Sequence, residues 1–223
     1  MNPRYVRNIP ALSEPQCQLL HQKRALVVGC GGLGGHLIDQ LARLGIGHLR
    51  IVDGDRLEPS NLNRQILAEV PLLGLSKAKA AAAKVLRINP DVQLDVIDEF
   101  LTIDNAASLV SGCDVVLDGL DNIPSRKLLA KAAQEAKIPY VYGAVQGWVA
   151  QAALFLPEES FLESLYPENC RMEDSSVLSF TPALCAAMQS ALCTKFLVGQ
   201  PVETGVLYYC DLQSMEYMTI PLK

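Results

Sequence analysis

A glycine-rich string near the amino terminus is the first group of residues whose spacing indicates chemistry. Residues 29–35 read GCGGLGG, so Gly29, Gly31 and Gly34 form the pattern GxGxxG. Between a strand and a helix, this pattern lets backbone N–H groups approach a phosphate while the positive end of the helix faces its charge. Asp53 follows 19 residues after Gly34, where a carboxylate can hydrogen-bond the ribose hydroxyls of a nucleotide. The string predicts a nucleotide site.

Three polar side chains further along bear on which nucleotide binds. The glycine pattern serves any nucleotide whose phosphates lie over the turn, so it does not separate a dinucleotide from a triphosphate. Asn61, Arg64 and Lys77 fall at the expected carboxyl edge of the sheet, and a triphosphate needs additional cations. These residues favour ATP. Taken alone, Lys77 is typical of a solvated lysine on an Ala- and Lys-rich helix.

Another polar cluster, Asp118, Asp121 and Asn122, follows a buried run of apolar residues. In an open α/β sheet, ligands bind in the crevice beyond the carboxyl ends of the strands. Oxygen ligands at this place suit Mg²⁺. Acids after a strand are also common turn formers, so position alone leaves both interpretations open.

The elements that must position these residues alternate along most of the chain. Short apolar runs typical of strands occur at 25–28, 48–53, 93–97, 114–118 and 139–144. Helical spacing or composition occurs at 33–44, 76–87 and 124–136. Strands that alternate with helices predict a mostly parallel, Rossmann-like open sheet with helices on both faces.

The pattern changes after Ala150. The segments that follow are a strand at 151–156, an aperiodic polar loop at 157–180, a helix at 181–198 and two strand-like runs at 206–210 and 215–220. They predict a C-terminal antiparallel extension of the sheet. We expect one domain, divided into an N-terminal arm (1–24), a Rossmann-like core (25–156), a crossover loop (157–180) and a C-terminal helix with strands (181–223).

The composition excludes several classes of partner. The chain has 223 residues, with 19 Lys and Arg against 24 Asp and Glu, a net charge of −5. This balance provides no broad cationic surface, so we expect neither nucleic acid nor an anionic membrane as partner. The first residues lack the layout of a secretory signal, and no apolar run approaches the roughly 20 residues of a membrane helix. A cytoplasmic protein is therefore predicted.

The cysteines and histidines give no signature of a structural metal. Of the seven cysteines, no two are spaced as CxxC, and the histidines are only His21, His36 and His48. Zinc is therefore not expected. Apart from Cys170, which lies in the polar segment, the cysteines are interpreted as buried core residues.

Strings of residues from position 4 to the C-terminal strands occur in the order and spacing of one family. They are RYVRNI at 4–9, GCGGLGG at 29–35, DGD at 53–55, NLNRQ at 61–65, SK at 76–77, INP at 88–90, and DN at 121–122 with Arg126. On these strings the chain resembles the ThiF/MoeB/HesA adenylyltransferases, bacterial relatives of ubiquitin-activating enzymes. The resemblance implies that ATP and Mg²⁺ are used to adenylate the C-terminal glycine of a ubiquitin-fold sulfur carrier ending in Gly-Gly. Thiamine, molybdopterin or a related sulfur-transfer pathway would use the product, with sulfur from a separate donor.

The resemblance also implies roles for single residues in the nucleotide site. Asp53 would hold the ribose, Arg64 and Lys77 would bind the phosphates and steady the transition state, and Asp121 would coordinate Mg²⁺. The remaining nucleotide-binding residues implied by the motifs are Gly29, Gly31, Gly32, Gly34, Asp55, Asn61 and Asn122.

Two further residues carry implications beyond that site. In the family, the second arginine of the RYxR motif, here Arg7, reaches into the neighbouring subunit's ATP site, which implies a homodimer. Cys170, in ENCR at 168–171, stands where similar proteins carry a cysteine that forms a covalent link to the carrier or to sulfur. A loop cysteine beside Arg171 could have a lowered pKa and be nucleophilic, although single cysteines are more often inert.

One departure from the family is the missing pair of CxxC motifs that hold zinc in many members. The residues at 161–164, FLES, stand where the first motif would be expected.

Two alternative functions share parts of this pattern. An NAD-dependent oxidoreductase would use the same glycine string and Asp53, but the three histidines lie before or within the first βαβ unit, and no other acid or base for hydride chemistry is evident. A binding module without catalysis could keep the fold. The presence together of Arg7, Arg64, Lys77 and Asp121 favours an enzyme.

Overall fold

One eight-stranded sheet runs through this computed structural model, which describes residues 2–159, 165–166 and 176–222. The strands are β1 (Arg24–Val28), β2 (His48–Val52), β3 (Gln93–Ile97), β4 (Val115–Asp118), β5 (Tyr140–Gln146), β6 (Val149–Phe155), β7 (Val206–Asp211) and β8 (Glu216–Pro221). Their order across the sheet is β3-β2-β1-β4-β5-β6-β7-β8. The first five are parallel, and β6, β7 and β8 are antiparallel. The predicted mostly parallel sheet with an antiparallel extension is confirmed.

Helices cover both faces of the sheet, as predicted. Those in the described ranges are α1 (Glu14–Leu20), α2 (Gly32–Leu44), α3 (Lys77–Ile88), α4 (Ala106–Val110), α5 (Ile123–Glu135) and α6 (Phe180–Leu197). One apolar core contains Leu37 of α2, Val85 of α3 and Cys185 of α6. The other core, on the opposite face, contains Leu109 of α4 and Leu129 of α5.

Local sequence explains where the helices next to the crevice begin and end. The side chain of Ser76 accepts the N–H of Lys79 at 3.3 Å and caps α3. Asn122 caps α5 in the same way, accepting the N–H of Ser125 at 2.9 Å. Such caps satisfy N–H groups that have no partner inside the helix. At the other end of α2, Gly45 adopts a left-handed φ of 93°, which glycine allows without steric cost.

The connections around β1 create the crevice. From β1 the chain crosses to β2 and then to β3 on one side, and β4 later pairs with β1 on the other side. The loops after β1 and β4 therefore diverge, which leaves a space at the carboxyl ends of these strands. The residues with predicted chemistry follow β1, β2 and β4, so this reversal brings them together.

One sequence expectation is met elsewhere in the fold. Cys17, Cys30, Cys113, Cys185, Cys193 and Cys210 are all buried, which confirms their interpretation as core residues. Within the ranges described, no helix has the length and apolar character needed to cross a membrane.

Candidate active site

A cavity of about 330 Å³ lies in the crevice beyond β1, β2 and β4. Nine of the residues predicted to bind nucleotide or metal are among those that line it: Gly29, Gly31, Gly32, Asp53, Asp55, Arg64, Lys77, Asp121 and Asn122. They come from five separate stretches of the chain. The fold thus brings into one space what the sequence motifs scatter over about 90 residues.

The backbone of the glycine turn packs directly against the backbone of the segment after β4. A Cβ on Gly29 would lie 2.5 Å from the carbonyl oxygen of Gly119, and Gly29 has a φ of 93°. A Cβ on Gly34 would lie only 1.7 Å from the carbonyl oxygen of Gly29. Gly34 is buried beneath the turn and is not among the residues that line the cavity. Its position requires glycine for close packing of helix against strand.

Gly31 and Gly32 form the open side of the same turn. The nearest atoms to a Cβ at these two positions lie 3.7 Å and 3.5 Å away and belong to Gln65 and Arg64. Helix α2 begins at Gly32, so its free N–H groups and its positive dipole end face the cavity. This is the arrangement that binds phosphate.

Asp53, at the end of β2, ties the glycine turn to the loop that follows. One carboxylate oxygen accepts the N–H of Cys30 at 2.6 Å, and the other accepts the N–H of Asp55 at 2.7 Å. Burial raises the pKa of Asp53, while these two N–H groups and Lys77 act to lower it. Each oxygen has a second lone pair, so the carboxylate can still accept a hydroxyl from a ribose.

Lys77 is a buried residue, and its interpretation as a solvated helix lysine is wrong. Only 8% of the residue is exposed, and its Nζ donates to Asp55 at 2.9 Å. Lys77 is the first residue of α3 and lines the cavity, where Asp55 holds its ammonium group. An ammonium group fixed in this way is a point charge suited to phosphate oxygens.

Arg64 and Asn61 belong to one loop but have different surroundings. Arg64 lines the cavity, and its Nη1 donates to the carbonyl of Ser60 at 3.0 Å and to Oδ1 of Asn63 at 2.9 Å. Asn61 is buried beneath the loop, where its Oδ1 accepts the N–H of Glu58 at 3.0 Å. It is not among the lining residues, and its predicted contact with phosphate stays a prediction.

Gln65 is a cavity residue to which the sequence analysis assigned no role. It is 6% exposed, and its Oε1 is buried with no hydrogen-bond partner among the described residues. A buried amide oxygen without a partner costs free energy unless a ligand or water supplies a donor. Its place in the NLNRQ string, next to Arg64, was the available signal.

Asp118 does not offer its carboxylate to a metal, which corrects one of the two interpretations of the cluster after β4. It is fully buried, and Oδ2 accepts Nη1 of Arg126 at 2.8 Å and the hydroxyl of Tyr140 at 2.7 Å. Burial acts to lower the pKa of Arg126, but the charge of Asp118 and the neighbouring tyrosines together outweigh it and raise that pKa. Sequence reasoning missed this pair because Asp118 ends a strand and Arg126 lies in the next helix, and no local pattern marks their contact.

Asp121 and Asn122 lie at the mouth of the cavity and are exposed. The carboxylate of Asp121 accepts a hydrogen bond from the side-chain amide of Asn122 at 3.4 Å. Oδ1 of Asn122 is occupied by the cap of α5. Asp121 therefore keeps most of its acceptor capacity for a ligand.

One other predicted site residue, Arg7, lies outside this cavity. Arg7 is exposed on a short 3₁₀ helix, Pro3–Asn8, and does not line the cavity of its own chain. Cys170 and the residues at 161–164 fall outside the described residues.

The charges around the cavity indicate that a polyphosphate would need a cation. Four carboxylates line it, those of Asp53, Asp55, Glu99 and Asp121, against Arg64, Lys77 and Arg126. Lys77 is paired with Asp55, and Arg126 with Asp118. In the part of the chain that the structure describes, no group of three or more His, Cys, Asp or Glu could hold a metal. One or two carboxylates combined with phosphate oxygens and water are what Mg²⁺ requires, so the residues present fit this ion.

Comparison with known proteins identifies the family. Residues 5–223 match the ThiF family. The chain belongs to the ThiF family. It is 34% identical to the SAMP-activating enzyme E1 of Haloferax volcanii, over 94% of this chain and 80% of that protein. It is 33% identical to a probable molybdopterin-synthase adenylyltransferase of Porphyra purpurea, over 96% of this chain and 59% of that protein. The chain thus spans about three fifths of the length of that second relative.

The fold is also found among solved structures. The crystal structure of E. coli MccB with ATP matches with a TM-score of 0.84 and 21% identity, over 100% of this chain and 72% of that one. These findings confirm the family, the fold and the adenylyltransferase class predicted from the sequence motifs.

Proposed function

We propose that this chain adenylates the C-terminal glycine of a ubiquitin-fold sulfur carrier, with ATP as the donor and pyrophosphate as the leaving product. One observation carries the proposal. The glycine turn, the carboxylate of Asp53 and the cations of Arg64 and Lys77 face a single cavity of about 330 Å³. Ribose, phosphate chain and negative charge each have a complementary group in that space.

The chemical difficulty is the approach of one anion to another. A carboxylate oxygen of the carrier forms a bond to the α-phosphorus, the bond from that phosphorus to the bridging oxygen breaks, and pyrophosphate leaves with the electron pair. No proton needs to move, because the nucleophile is already ionised. Fixed positive groups must therefore lower the repulsion, and Arg64 and Lys77 are positioned at the cavity wall to do so.

Lys77 and Arg64 divide this task by their surroundings. Lys77 is held against Asp55, so it provides a fixed charge at the base of the cavity. Arg64 is bonded to a carbonyl and an amide oxygen of its own loop, and it forms no ion pair with a carboxylate among the described residues. Its full charge is thus available to phosphate oxygens, and we assign it the larger share of transition-state stabilisation.

Asp121 is proposed to hold Mg²⁺ at the cavity mouth. When bound, this ion would neutralise the phosphate chain and the charge that develops on pyrophosphate. The exposed carboxylate of Asp121 and the excess of acids over unpaired cations in the cavity support the assignment.

The carrier is proposed from the names of the relatives. One is called a SAMP-activating enzyme and another a molybdopterin-synthase adenylyltransferase. The pathway, whether thiamine, molybdopterin or a related sulfur transfer, is proposed only at the level of the carrier class, with sulfur supplied by a separate protein.

A homodimer with shared sites is part of the proposal, and the exposed position of Arg7 supports it. Its side chain is exposed on the N-terminal arm, away from the cavity of its own chain, and is therefore free to enter the cavity of a second copy. Mixed dimers of Arg7→Ala and Arg64→Ala chains would contain one cavity with both arginines intact, so the mixture should recover activity that neither variant has alone.

Cys170 is proposed to act after adenylation. A thiolate can displace AMP from the carrier adenylate by attack on its carbonyl carbon, which yields a carrier thioester. The Cys170→Ala variant should then form the adenylate and block only the later transfer.

The experiment that tests the proposed function is ATP–pyrophosphate exchange with the purified protein, Mg²⁺ and candidate carriers ending in Gly-Gly. Exchange stimulated by one carrier, and lost when the last glycine of that carrier is removed, supports it. No exchange with any carrier, together with measurable NAD binding, would favour the oxidoreductase. Among the described residues that line the cavity there is no histidine to act in hydride transfer.

A further inference from the structure

We propose that Arg126 is a positioning residue that fixes the segment 118–121 and, through it, the carboxylate of Asp121 at the mouth of the cavity. The inference rests on the proposed function, because it takes Asp121 as the ligand of the Mg²⁺ used in adenylation. The observation behind it is that one guanidinium group binds the residues on both sides of Gly119.

The guanidinium of Arg126 joins three parts of the chain. Its Nη1 donates to Oδ2 of Asp118 at 2.8 Å and to the carbonyl of Gly143 in β5, and its Nη2 donates to the carbonyl of Leu120. The residue is 3% exposed and lies 5.4 Å above the ring of Tyr142. A planar group with fixed donors, buried and bonded in this way, allows one arrangement of its partners.

Three further contacts hold the same segment. Oδ1 of Asp118 accepts the N–H of Leu120 at 2.8 Å, and Nε2 of Gln189 in α6 donates to the carbonyl of Asp118 at 3.0 Å. At Gly119 the backbone abuts the glycine turn, since a Cβ there would lie 2.7 Å from the carbonyl of Gly29. The chain is thus fixed as far as Leu120.

Asp121 is the first residue beyond this clamp. Its carboxylate is exposed and is contacted by Asn122 at 3.4 Å, so the backbone before it and the cap of α5 after it decide where it points. Arg126 lies in the first turn of α5, and its guanidinium holds the backbone before Asp121. Replacing a residue that orients a metal ligand without touching the metal commonly lowers metal affinity by about 10–100-fold.

A direct contact between Arg126 and the nucleotide is the rival explanation. Arg126 lines the cavity, and its Nε is buried with no hydrogen-bond partner among the residues that the structure describes. If Nε met a phosphate, loss of the guanidinium would weaken the binding of ATP itself. If Arg126 acts through Asp121, the loss would appear in the requirement for metal.

Arg126→Lys separates these explanations, because lysine keeps a charge beside Asp118 but cannot reach the carbonyls of both Leu120 and Gly143. Arg50→Lys is the matched control. Arg50 also donates to several carbonyls, including those of Leu109 at 2.7 Å and Ser111 at 2.9 Å, and lies outside the cavity lining. It reports the general effect of replacing a carbonyl-binding arginine.

The first readout uses the free protein and requires no activity. We expect Arg126→Lys to speed hydrogen exchange of the Leu120 amide by about tenfold or more, measured by NMR, while Arg50→Lys leaves it unchanged. The second readout is the Mg²⁺ concentration for half-maximal ATP–pyrophosphate exchange. Arg126→Lys should raise it by about tenfold, with ATP binding in the absence of metal unchanged and no further effect in an Asp121→Asn background.

Three results would overturn the proposal: an unchanged Leu120 amide, weaker metal-free ATP binding, or an effect of equal size in the Asp121→Asn background. Failure of the proposed function has a different signature. A wild-type protein without carrier-stimulated exchange would refute adenylation and the metal role of Asp121, whereas the Leu120 amide would still decide whether Arg126 holds the segment.

Discussion

The centre and the far edge of the sheet differ in how closely the chain is packed. At the carboxyl ends of β1 and β4, Gly29, Gly34 and Gly119 bring three stretches of backbone so close that one methyl group would overlap a carbonyl. At the far edge, every residue of β8 is exposed, including Tyr217 and Met218. The crevice thus depends on backbone geometry that a single residue type permits. The edge strand depends on backbone pairing, which most side chains allow.

Gly34→Ala should cause the largest loss of stability in the closely packed centre of the sheet. The added methyl would lie 1.7 Å from the carbonyl oxygen of Gly29, so α2 or the turn must move. We expect a loss of about 3 kcal/mol or more in the free energy of unfolding, measured in urea. Gly35→Ala is the neighbouring control in the same helix. Its methyl would meet the side chains of Leu67 and Ile66 at 3.1–3.3 Å, which can move. Equal losses of unfolding free energy in Gly34→Ala and Gly35→Ala would contradict the claim that the backbone contact at Gly34 is the constraint.

Arg64→Ala should remove catalysis while keeping the fold. Arg64 is half-buried and its bonds lie within its own loop, so the free energy of unfolding should change little. Loss of one preorganised group that stabilises transition-state charge typically costs at least about 100-fold in rate. We expect that loss in carrier-stimulated ATP–pyrophosphate exchange. Arg56→Ala, on the adjacent loop and 4.0 Å from Asp98, should exchange at the wild-type rate. A matching defect in Arg56→Ala would show that loop charge in general, and not Arg64, matters.

The contrast also explains what could be read from the sequence. Strands and helices with several apolar residues at regular spacing, such as β1 and α2, were predicted with bounds that are correct to within a residue or two. Helices α1 and α4, of seven and five residues, were not, because so few turns give no detectable period. The glycine turn and Asp53 were found because their chemistry resides in one local motif.

Side chains whose role depends on a partner in a different element of the fold could not be assigned in this way. The burial of Lys77 depends on Asp55, which comes from another loop. The pair of Asp118 and Arg126 joins the end of a strand to a helix, and nothing in the spacing distinguishes it from a turn acid and a surface arginine. Gln65 was missed because an unpaired buried oxygen is visible only in three dimensions.

Asp53 makes the stability of the closely packed region around the glycine turn depend on pH. Burial raises its pKa above the ordinary value of 3.8, so the free folded protein binds this proton more readily than the unfolded chain does. The contribution of Asp53 to stability is therefore greatest at low pH and is lost as the pH rises from 3.8 through the raised pKa. Free energies of unfolding of the wild type and Asp53→Asn, compared from about pH 3.5 to 7, should show this. The stability difference, wild type minus variant, should fall with rising pH. A rising difference would mean that the N–H groups of Cys30 and Asp55 outweigh burial.

Met218→Thr should have the smallest effect on stability, because it lies on the exposed edge strand β8, where most side chains are allowed. Met218 is 47% exposed on β8, and its backbone pairs with Tyr209 on β7. Threonine suits a strand and removes an apolar group from an edge that other chains could pair with. We expect the free energy of unfolding to change by no more than about 0.5 kcal/mol. ATP–pyrophosphate exchange should stay at the wild-type rate. Leu207→Ala, at a buried position of the neighbouring strand, should cost about 2–5 kcal/mol. A comparable loss in Met218→Thr would mean that β8 is covered in the assembled protein, and the tolerance inferred here would belong to the isolated chain alone.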